Sequence, residues 1–178
     1  MRLALTPHPD MPSEAVQGME VEVARRGACL ALSFRLSGSL DRLLIPPRAP
    51  PIRMDGLWQH SCFEAFIRPA GSEAYREFNF SPSGEWAAYR FDRYRSGISD
   101  LEEFPPPRIA TRRGEILEVE IGLVPGLPAA SAWQLGLSAV VEETGGGKSY
   151  WALAHPPGRP DFHSPDCFAL ELAPPPRP

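Results

Sequence analysis

Apolar and polar residues alternate in many short segments of this chain, and a period of two predicts β-strands rather than helices. The longest such segment spans 133–142, where Trp133, Leu135, Leu137 and Val141 mark the apolar positions. The same alternation recurs in shorter segments, at 18–25, 28–36, 109–113, 115–123 and 149–154. The chain contains 22 prolines and 15 glycines, and they separate these segments and supply the turns.

The fold class predicted by this pattern is all-β. About ten short strands with frequent turns favour an antiparallel β-sandwich of two sheets, with jelly-roll-like or immunoglobulin-like connections. At 178 residues the chain is long enough to bury a core without the help of a metal or a disulfide. We expect a single domain over 1–173 and a disordered proline-rich tail at 174–178.

The central segment, 57–95, holds half of the tryptophans and three of the four tyrosines in the chain. Its pattern predicts three strands at 61–68, 75–81 and 85–91. The strands are joined by the short turns Pro-Ala-Gly-Ser and Ser-Pro-Ser-Gly, which predict an antiparallel meander.

The two faces of this meander are predicted to differ in chemistry, because successive side chains of a strand point to opposite faces. The expected core face carries Phe63, Ala65, Ile67, Phe78, Phe80, Ala87, Tyr89 and Phe91. The expected opposite face carries Cys62, Glu64, Phe66, Tyr75, Glu77, Asn79, Trp86 and Arg90. This second face mixes aromatic rings with carboxylates, an amide and a guanidinium, and such a mixture predicts a binding surface.

Nine residues are the candidate ligand contacts, and their chemistry fits a sugar. Aromatic rings stack on the C–H faces of sugars, and carboxylate, amide and guanidinium groups pair with hydroxyls. The candidates are Trp58, His60, Glu64, Tyr75, Asn79, Trp86, Arg90, Tyr94 and Trp151. The alternative is an internal network in which the buried polar groups satisfy one another and no ligand binds.

Charge and cysteine content argue against several other classes of protein. A net charge of -4 is unsuited to non-specific binding of nucleic acid, which needs clustered positive charge. The three cysteines include no CxxC pair and predict no disulfide framework. No segment is apolar for long enough to predict a membrane helix or a signal peptide, so we expect a cytoplasmic protein. The sequence leaves the oligomeric state open.

The histidines match no compact metal motif. His155 and His163 lie eight residues apart in a proline-rich segment, and His60 is distant from both. A metal or haem site built from them and Asp161 is one interpretation, since imidazole is a common ligand. Hydrogen bonds from these side chains to loop backbone are the favoured interpretation. We therefore predict no resident metal or cofactor.

Three blocks of the sequence resemble the bacterial DOMON-like domain proteins, a group related to DOMON domains and to family 9 carbohydrate-binding modules. The blocks are LWQHSCFEAFIRP at 57–69, YREFNFSPSGEWAAYRFDRYRSG at 75–97 and SYWALAHPPGRPDFHSPDCFAL at 149–170. The resemblance implies a β-sandwich of about ten strands with a ligand pocket on one sheet. In related branches that pocket takes a sugar or a haem.

The resemblance also carries over to particular residues. The tryptophan-and-acid strand of the carbohydrate-binding relatives corresponds to 58–64, and an asparagine in their next strand corresponds to Asn79. The chain departs from the haem-binding relatives because it has no clear methionine and histidine pair on the sandwich face.

The function we predict is non-enzymatic binding of a small ligand, most simply a carbohydrate, on one face of a sheet. Stacking on aromatic rings would provide contact area, and Glu64, Asn79 and Arg90 would orient the ligand. Three alternatives remain: a haem-binding or redox module, an enzyme that hydrolyses glycosides or esters, and a protein-interaction domain. The hydrolase would use Glu64 and Glu77 as a carboxylate pair, but no strained nucleophile motif accompanies them.

Overall fold

Twelve β-strands and three one-turn 3-10 helices make up the regular structure, seen in a computed structural model that describes residues 1–101 and 104–175. The described residues contain no α-helix. The strands are β1 (Arg2–Pro7), β2 (Val16–Arg26), β3 (Cys29–Gly38), β4 (Cys62–Pro69), β5 (Tyr75–Phe80), β6 (Trp86–Phe91), β7 (Ser99–Asp100), β8 (Arg108–Arg113), β9 (Ile116–Leu123), β10 (Trp133–Glu142), β11 (Lys148–Ala152) and β12 (Leu170–Leu172). The 3-10 helices are Leu40–Arg42, Leu57–Gln59 and Pro165–Cys167.

The strands form one continuous antiparallel sheet that curls over itself. Eleven of them follow the order β7-β6-β5-β4-β10-β11-β1-β2-β3-β9-β8, and β12 pairs separately with β10. Strand β1 lies within this order and joins its two parts. Residues Arg2 to Leu5 pair with β2, and Thr6 and Pro7 pair with β11. We call the strands β2, β3, β8 and β9 the β3 half, and β4 to β7 with β10 to β12 the β4 half.

The hydrophobic core lies between the inner faces of the two halves. Phe34 of β3 and Phe63 of β4 come from different halves, yet their ring centroids are only 4.9 Å apart. Both side chains are almost fully buried, as are Val21 of β2 and Leu135 of β10. Because alternate residues of each strand face this layer, the period of two in the sequence is explained by burial on one face.

The prediction of an all-β antiparallel fold is confirmed, with one curled sheet in place of two separate ones. The predicted strand at 133–142 matches β10. The strand β1 escaped prediction because Leu5 is its single buried residue, so it has no alternating pattern to detect. The short strand β7 lies in a segment expected to be loop. Residues 176–178 of the predicted tail lie outside the described residues.

The meander β4-β5-β6 forms as predicted, but the assignment of faces is wrong for its third strand. Across β5 and β6, Phe80 lies opposite Trp86 and Glu77 lies opposite Tyr89. Trp86 and Arg90 are therefore on the core side of the sheet, while Tyr89 shares the outer face with Glu77. A shift of one residue in register moves every side chain of a strand to the other face.

The turn between these strands is the reason for the shift. The Ser81 N–H donates to the Glu85 carbonyl at 2.9 Å, so three residues form the loop instead of the four in Ser-Pro-Ser-Gly. The loop ends at Gly84, whose φ of +104° lies in the region that favours glycine. Hairpin loops of three residues commonly close in this way.

Candidate functional site

A concavity of about 900 Å³ lies on the outer face of the β4 half. Its floor is formed by side chains of four adjacent strands, among them Glu64 of β4, Glu77 of β5, Tyr89 of β6 and Val140 of β10. Three loops form its walls and contribute Asp55, Gly56, Trp58, Gln59, Arg95, Ile98, Pro160, Phe162 and His163. The sheet supplies a rigid floor and the loops raise a rim around it.

Strand alternation explains why the acids of this concavity sit together. Glu64 lies opposite Asn79 and Phe66 lies opposite Glu77, so the two carboxylates are diagonal neighbours on adjacent strands. The intervening residues face the core, where Ala65 and Phe78 are fully buried. Moving either acid to the inner face would bury a charge among aromatic rings, so the register is firmly specified.

Glu64 is a buried acid without a cationic partner among the described residues. Its side chain lines the concavity although the residue is only 3% exposed. The Ser138 hydroxyl donates to Glu64 Oε2 at 3.3 Å. Burial and the nearby charge of Glu77 raise the pKa of Glu64 to about 8. Glu64 is thus mostly protonated at neutral pH.

Glu77 is buried beside it and is held by a neighbour on its own strand. Asn79 Nδ2 donates to Glu77 Oε1 at 2.8 Å, and His163 Nε2 lies 3.7 Å from Glu77 Oε2. Desolvation raises the pKa of Glu77, while the Asn79 amide and the charge of Arg95 act in the opposite direction. Asn79 therefore positions a carboxylate at the floor of the concavity.

His163 is oriented by a tyrosine behind it. The Tyr75 hydroxyl lies 2.7 Å from His163 Nδ1 and accepts from the backbone N–H of Arg95 at 3.2 Å. We assign the hydroxyl proton to Nδ1, so that the oxygen accepts from Arg95 and donates to the ring, and the His163 proton then lies on Nε2 toward Glu77. Desolvation lowers the pKa of His163 to about 4, so the ring is neutral at pH 7.

The loop between β11 and β12 is fastened over this face by Asp161. Its carboxylate accepts from Arg95 at 2.7 Å and from the Tyr94 hydroxyl at 2.5 Å. The carboxylate also accepts from the backbone N–H of His163 at 3.2 Å. Arg95 itself has a φ of 49°, in the left-handed region, where a residue with a side chain is uncommon. These contacts join the loop after β6 to the loop that carries His163.

Aromatic side chains supply most of the remaining wall. Tyr89 donates its hydroxyl to Asp55 Oδ1 at 2.7 Å, which fixes the ring against the loop before β4. Trp58 lies at the mouth and is 55% exposed, far more than a tryptophan that serves only packing. Phe91 and Tyr150 also line the concavity. The result is an acidic floor surrounded by rings.

Solved structures with the same architecture were found, although no family model and no curated protein matches the chain. A candidate carbohydrate-binding protein from Bacteroides uniformis has a TM-score of 0.65 and 14% identity, over 94% of this chain and 83% of the other. A family 9 carbohydrate-binding module from Caldicellulosiruptor kristjanssonii, in complex with cellotriose, has a TM-score of 0.55 and 8% identity, over 89% and 74%.

The curled sheet resembles the fold of a family 9 carbohydrate-binding module. Identities this low establish the architecture alone, because one fold hosts many functions. Within this fold, the outer face of the β4 half combines buried acids with rings in one concavity.

The structure brings four of the nine predicted ligand residues to this site. Trp58 and Glu64 line the concavity directly. Tyr75 and Asn79 are buried on the same face, where they hold His163 and Glu77 by hydrogen bonds. Their predicted role shifts from ligand contact to positioning.

Two further predicted residues lie outside the concavity. Tyr94 is at the rim, where its hydroxyl is bound to Asp161. His60 is exposed beyond the rim, with Nδ1 3.0 Å from Glu142 Oε2. Neither lines the concavity.

The last three predicted residues belong to the other side of the sheet, which corrects the prediction. Trp86 packs in the core against Phe104, with ring centroids 5.3 Å apart. Trp151 is also a core residue and donates from Nε1 to Ser149 Oγ at 3.0 Å. Arg90 is exposed and pairs with Asp92. For Trp86 and Arg90 the cause is the register shift at the preceding turn.

Among the lining residues that sequence reasoning missed, four carry polar groups suited to a ligand: Tyr89, Arg95, Tyr150 and His163. Tyr89 was assigned to the core because of the register error. Arg95 and His163 lie on loops, where no periodicity reveals which way a side chain points. Tyr150 and Trp151 are neighbours on β11 and face opposite sides of the sheet, and the prediction named Trp151 alone. The neighbouring acid Glu77 was placed on the correct face.

The favoured interpretation of the histidines holds in part. His155 Nε2 lies 2.8 Å from the backbone carbonyl of Thr6, as expected for a structural role, whereas His163 binds a side chain and faces the concavity. Within residues 1–101 and 104–175, no three His, Cys, Asp or Glu side chains are grouped as a metal site. In the same residues no helix is long and apolar enough to span a membrane.

Proposed function

We propose that the concavity binds a small polyhydroxylated ligand, most simply a sugar, without changing it covalently. The observation that carries this proposal is the pair of buried acids, Glu64 and Glu77, on the floor of an open concavity walled by aromatic rings. Its volume of about 900 Å³ lies within the range of small-molecule sites. A structural role alone would leave the desolvation of two carboxylates uncompensated.

The polar groups of the floor complement hydroxyls in both directions. A protonated Glu64 donates one hydrogen bond and accepts others, Glu77 accepts through Oε2, and His163 donates through Nε2–H. A sugar hydroxyl is likewise both a donor and an acceptor. Fixed groups of both kinds can therefore select one arrangement of hydroxyls over another.

The walls suit the apolar faces of a sugar ring. Trp58 presents half of its surface at the mouth, and the Tyr89 ring is held by its hydrogen bond to Asp55. Rings fixed before binding lose little conformational entropy when a ligand stacks on them. The two structural neighbours, one a candidate carbohydrate-binding protein and one in complex with cellotriose, lend support from the same architecture.

Binding without catalysis is favoured because burial shifts the pKa values of both acids in the same direction. Glycoside hydrolysis needs one protonated carboxyl and one ionised carboxylate, so their pKa values must be driven apart. Here desolvation raises the pKa of both Glu64 and Glu77. No cation among the described residues ionises either acid by a contact within 4.0 Å, apart from His163, which is neutral.

We also infer that the chain belongs with the DOMON-like proteins. The three sequence blocks that resemble that group fall on the elements surrounding the concavity. The block at 57–69 contributes Trp58 and Glu64, the block at 75–97 contributes Glu77, Tyr89 and Arg95, and the block at 149–170 contributes His163. A resemblance concentrated at the site supports a shared binding role.

Calorimetric titration with a panel of monosaccharides and short oligosaccharides tests the proposed function. We expect at least one sugar to bind, and Trp58→Ala to weaken that binding about tenfold or more through loss of a stacking surface. Trp58 is exposed, so its removal should leave the unfolding temperature nearly unchanged.

The matched control is Glu120→Gln, which changes an exposed acid on the outer face of the β3 half. It should bind the same sugar as tightly as the original protein. Absence of binding across the panel, or equal affinity in the Trp58→Ala protein, would contradict the proposal.

A further inference from the structure

The floor of the concavity carries two buried carboxyl groups that a bound cation would ionise, and a neutral sugar supplies no such cation. We propose that the preferred ligand bears a protonated amine, held by Glu64 and Glu77, so that the site takes an amine-bearing sugar or a similar polyhydroxylated ammonium compound. This inference rests on the proposed function, because it names the ligand class of the same site.

The first argument is the charge balance of the lining. Asp55, Glu64 and Glu77 line the concavity, and Arg95 is the one arginine or lysine among its described lining residues. The Arg95 guanidinium is already engaged by Asp161, with Nη2 to Oδ1 at 2.7 Å. The carboxylates on the floor are therefore left without a cation of their own.

The second argument is the state of Glu64. Only 3% of the surface of this residue is exposed, and the Ser138 hydroxyl donates to Oε2 alone. Within the part of the chain that the structure describes, no donor is recorded for Oε1. Oε1 is not among the sealed side-chain atoms that lack a partner, so it is open to solvent and can accept from a ligand in the concavity.

Glu77 repeats this arrangement on the next strand. Its Oε1 accepts from Asn79, while its Oε2 faces His163 Nε2 at 3.7 Å, a separation longer than a hydrogen bond. Each acid thus has one oxygen held by the protein and one left for a ligand. Two such oxygens match an ammonium group, which carries three donors and no acceptor.

The third argument is the ring wall above the acids. Tyr89, Phe91 and Trp58 line the same concavity, and the faces of aromatic rings attract cations electrostatically. Buried carboxylates and rings together recognise ammonium groups more selectively than either alone, because a neutral hydroxyl gains little from the negative charge. Hydrogen bonds between ionised partners are also about twice as strong as neutral ones.

The experiment compares sugars that differ at one position. Glucose, glucosamine and N-acetylglucosamine carry a hydroxyl, an ammonium and a neutral amide there, and the galactose series gives a second matched set. Near neutral pH we expect the amine to bind about tenfold or more tightly than both neutral twins. Glu64→Gln and Glu77→Gln should each reduce this preference to about twofold or less, whereas Glu120→Gln should preserve it.

The possible results separate the two proposals. Neutral sugars that bind as tightly as their amines would overturn the inference and leave the proposed function standing. An absence of binding by every sugar would overturn both. An amine preference that survives in both the Glu64→Gln and Glu77→Gln proteins would show general charge attraction and overturn the inference. Far-ultraviolet circular dichroism of each variant establishes that it is folded before titration.

Discussion

Acidic residues on the two outer faces of the curled sheet have opposite environments. On the β3 half, Glu118 accepts from Arg35 at 2.9 Å and lies 3.2 Å from Arg112. On the β4 half, Glu64 has a serine as its recorded partner and Glu77 an asparagine. The first face is a ladder of ion pairs, and the second is an acidic concavity.

The pKa shifts of these acids follow the same division. The arginine beside Glu118 lowers the pKa of that carboxyl, whereas desolvation raises the pKa of Glu64 and of Glu77. The first face is internally compensated and needs nothing further. The second holds two carboxyl groups whose ionisation burial makes costly, and acids with pKa values perturbed in this way cluster at functional sites.

The largest effect is expected from removing the charge of the most buried acid. In Glu64→Gln the folded protein should become more stable at high pH. The pKa of Glu64 is raised from 4.5 to about 8. The stability that the protonated group contributes to the folded protein is therefore fully present below pH 4.5 and is lost as pH rises through 8. The penalty avoided well above pH 8 is roughly 5 kcal/mol.

Thermal unfolding of both proteins from acidic to alkaline pH measures this difference. The gap between their unfolding temperatures should widen steadily as pH rises and should nearly vanish in acid. A gap that stays constant with pH would show that Glu64 keeps its usual pKa, and the contrast between the two faces would lose its main support.

An intermediate effect is expected from removing the tyrosine hydroxyl that holds the His163 ring in place. Tyr75→Phe removes the hydroxyl that binds His163 Nδ1 at 2.7 Å and accepts from Arg95 N–H at 3.2 Å. Leaving these buried partners unsatisfied should cost about 1–2 kcal/mol in denaturant unfolding. Nitrogen NMR of the His163 ring should show a loss of the single tautomer; an unchanged ring spectrum would contradict the assigned proton positions.

The smallest effect is expected from the ion pairs on the outer face of the β3 half. Glu118→Gln should destabilise the protein by at most about 1 kcal/mol near neutral pH, since ion pairs at a surface are weak. The pKa of Glu118 is lowered, so its contribution is present above the unfolded pKa and is lost as pH falls through the folded one. Denaturant unfolding in added salt should shrink the difference. A large stabilisation instead would mean that the two faces do not differ.

Much of the fold was predictable because burial on one face imposes a period of two. The hairpin β2-β3 and the strand β10 were found from alternation alone, since each has one fully buried side. The strand β1 was not found, because it joins the two halves at their edge and buries little. The turn before β6 was misjudged by one residue, and that error displaced Trp86, Tyr89 and Arg90 together.

Apart from Trp58, the part of the site that was predicted lies on two adjacent strands. Glu64, Glu77 and Asn79 were placed on one face because the register of β4 and β5 follows from their apolar neighbours. Arg95 and His163 were missed, since a loop residue has no periodic neighbours to fix its direction. Their positions depend on contacts between distant segments, such as the bond from Arg95 to Asp161.

The sequence by itself determined that the chain is all-β and that acids and rings share a face of one meander, because alternation along a strand is a local property. The tertiary structure decided the rest. It curled the sheet through β1, set β6 one residue from its expected register, and folded the loop carrying His163 over the acids. Those outcomes depend on pairings between residues far apart in the chain, and only packing in three dimensions selects among them.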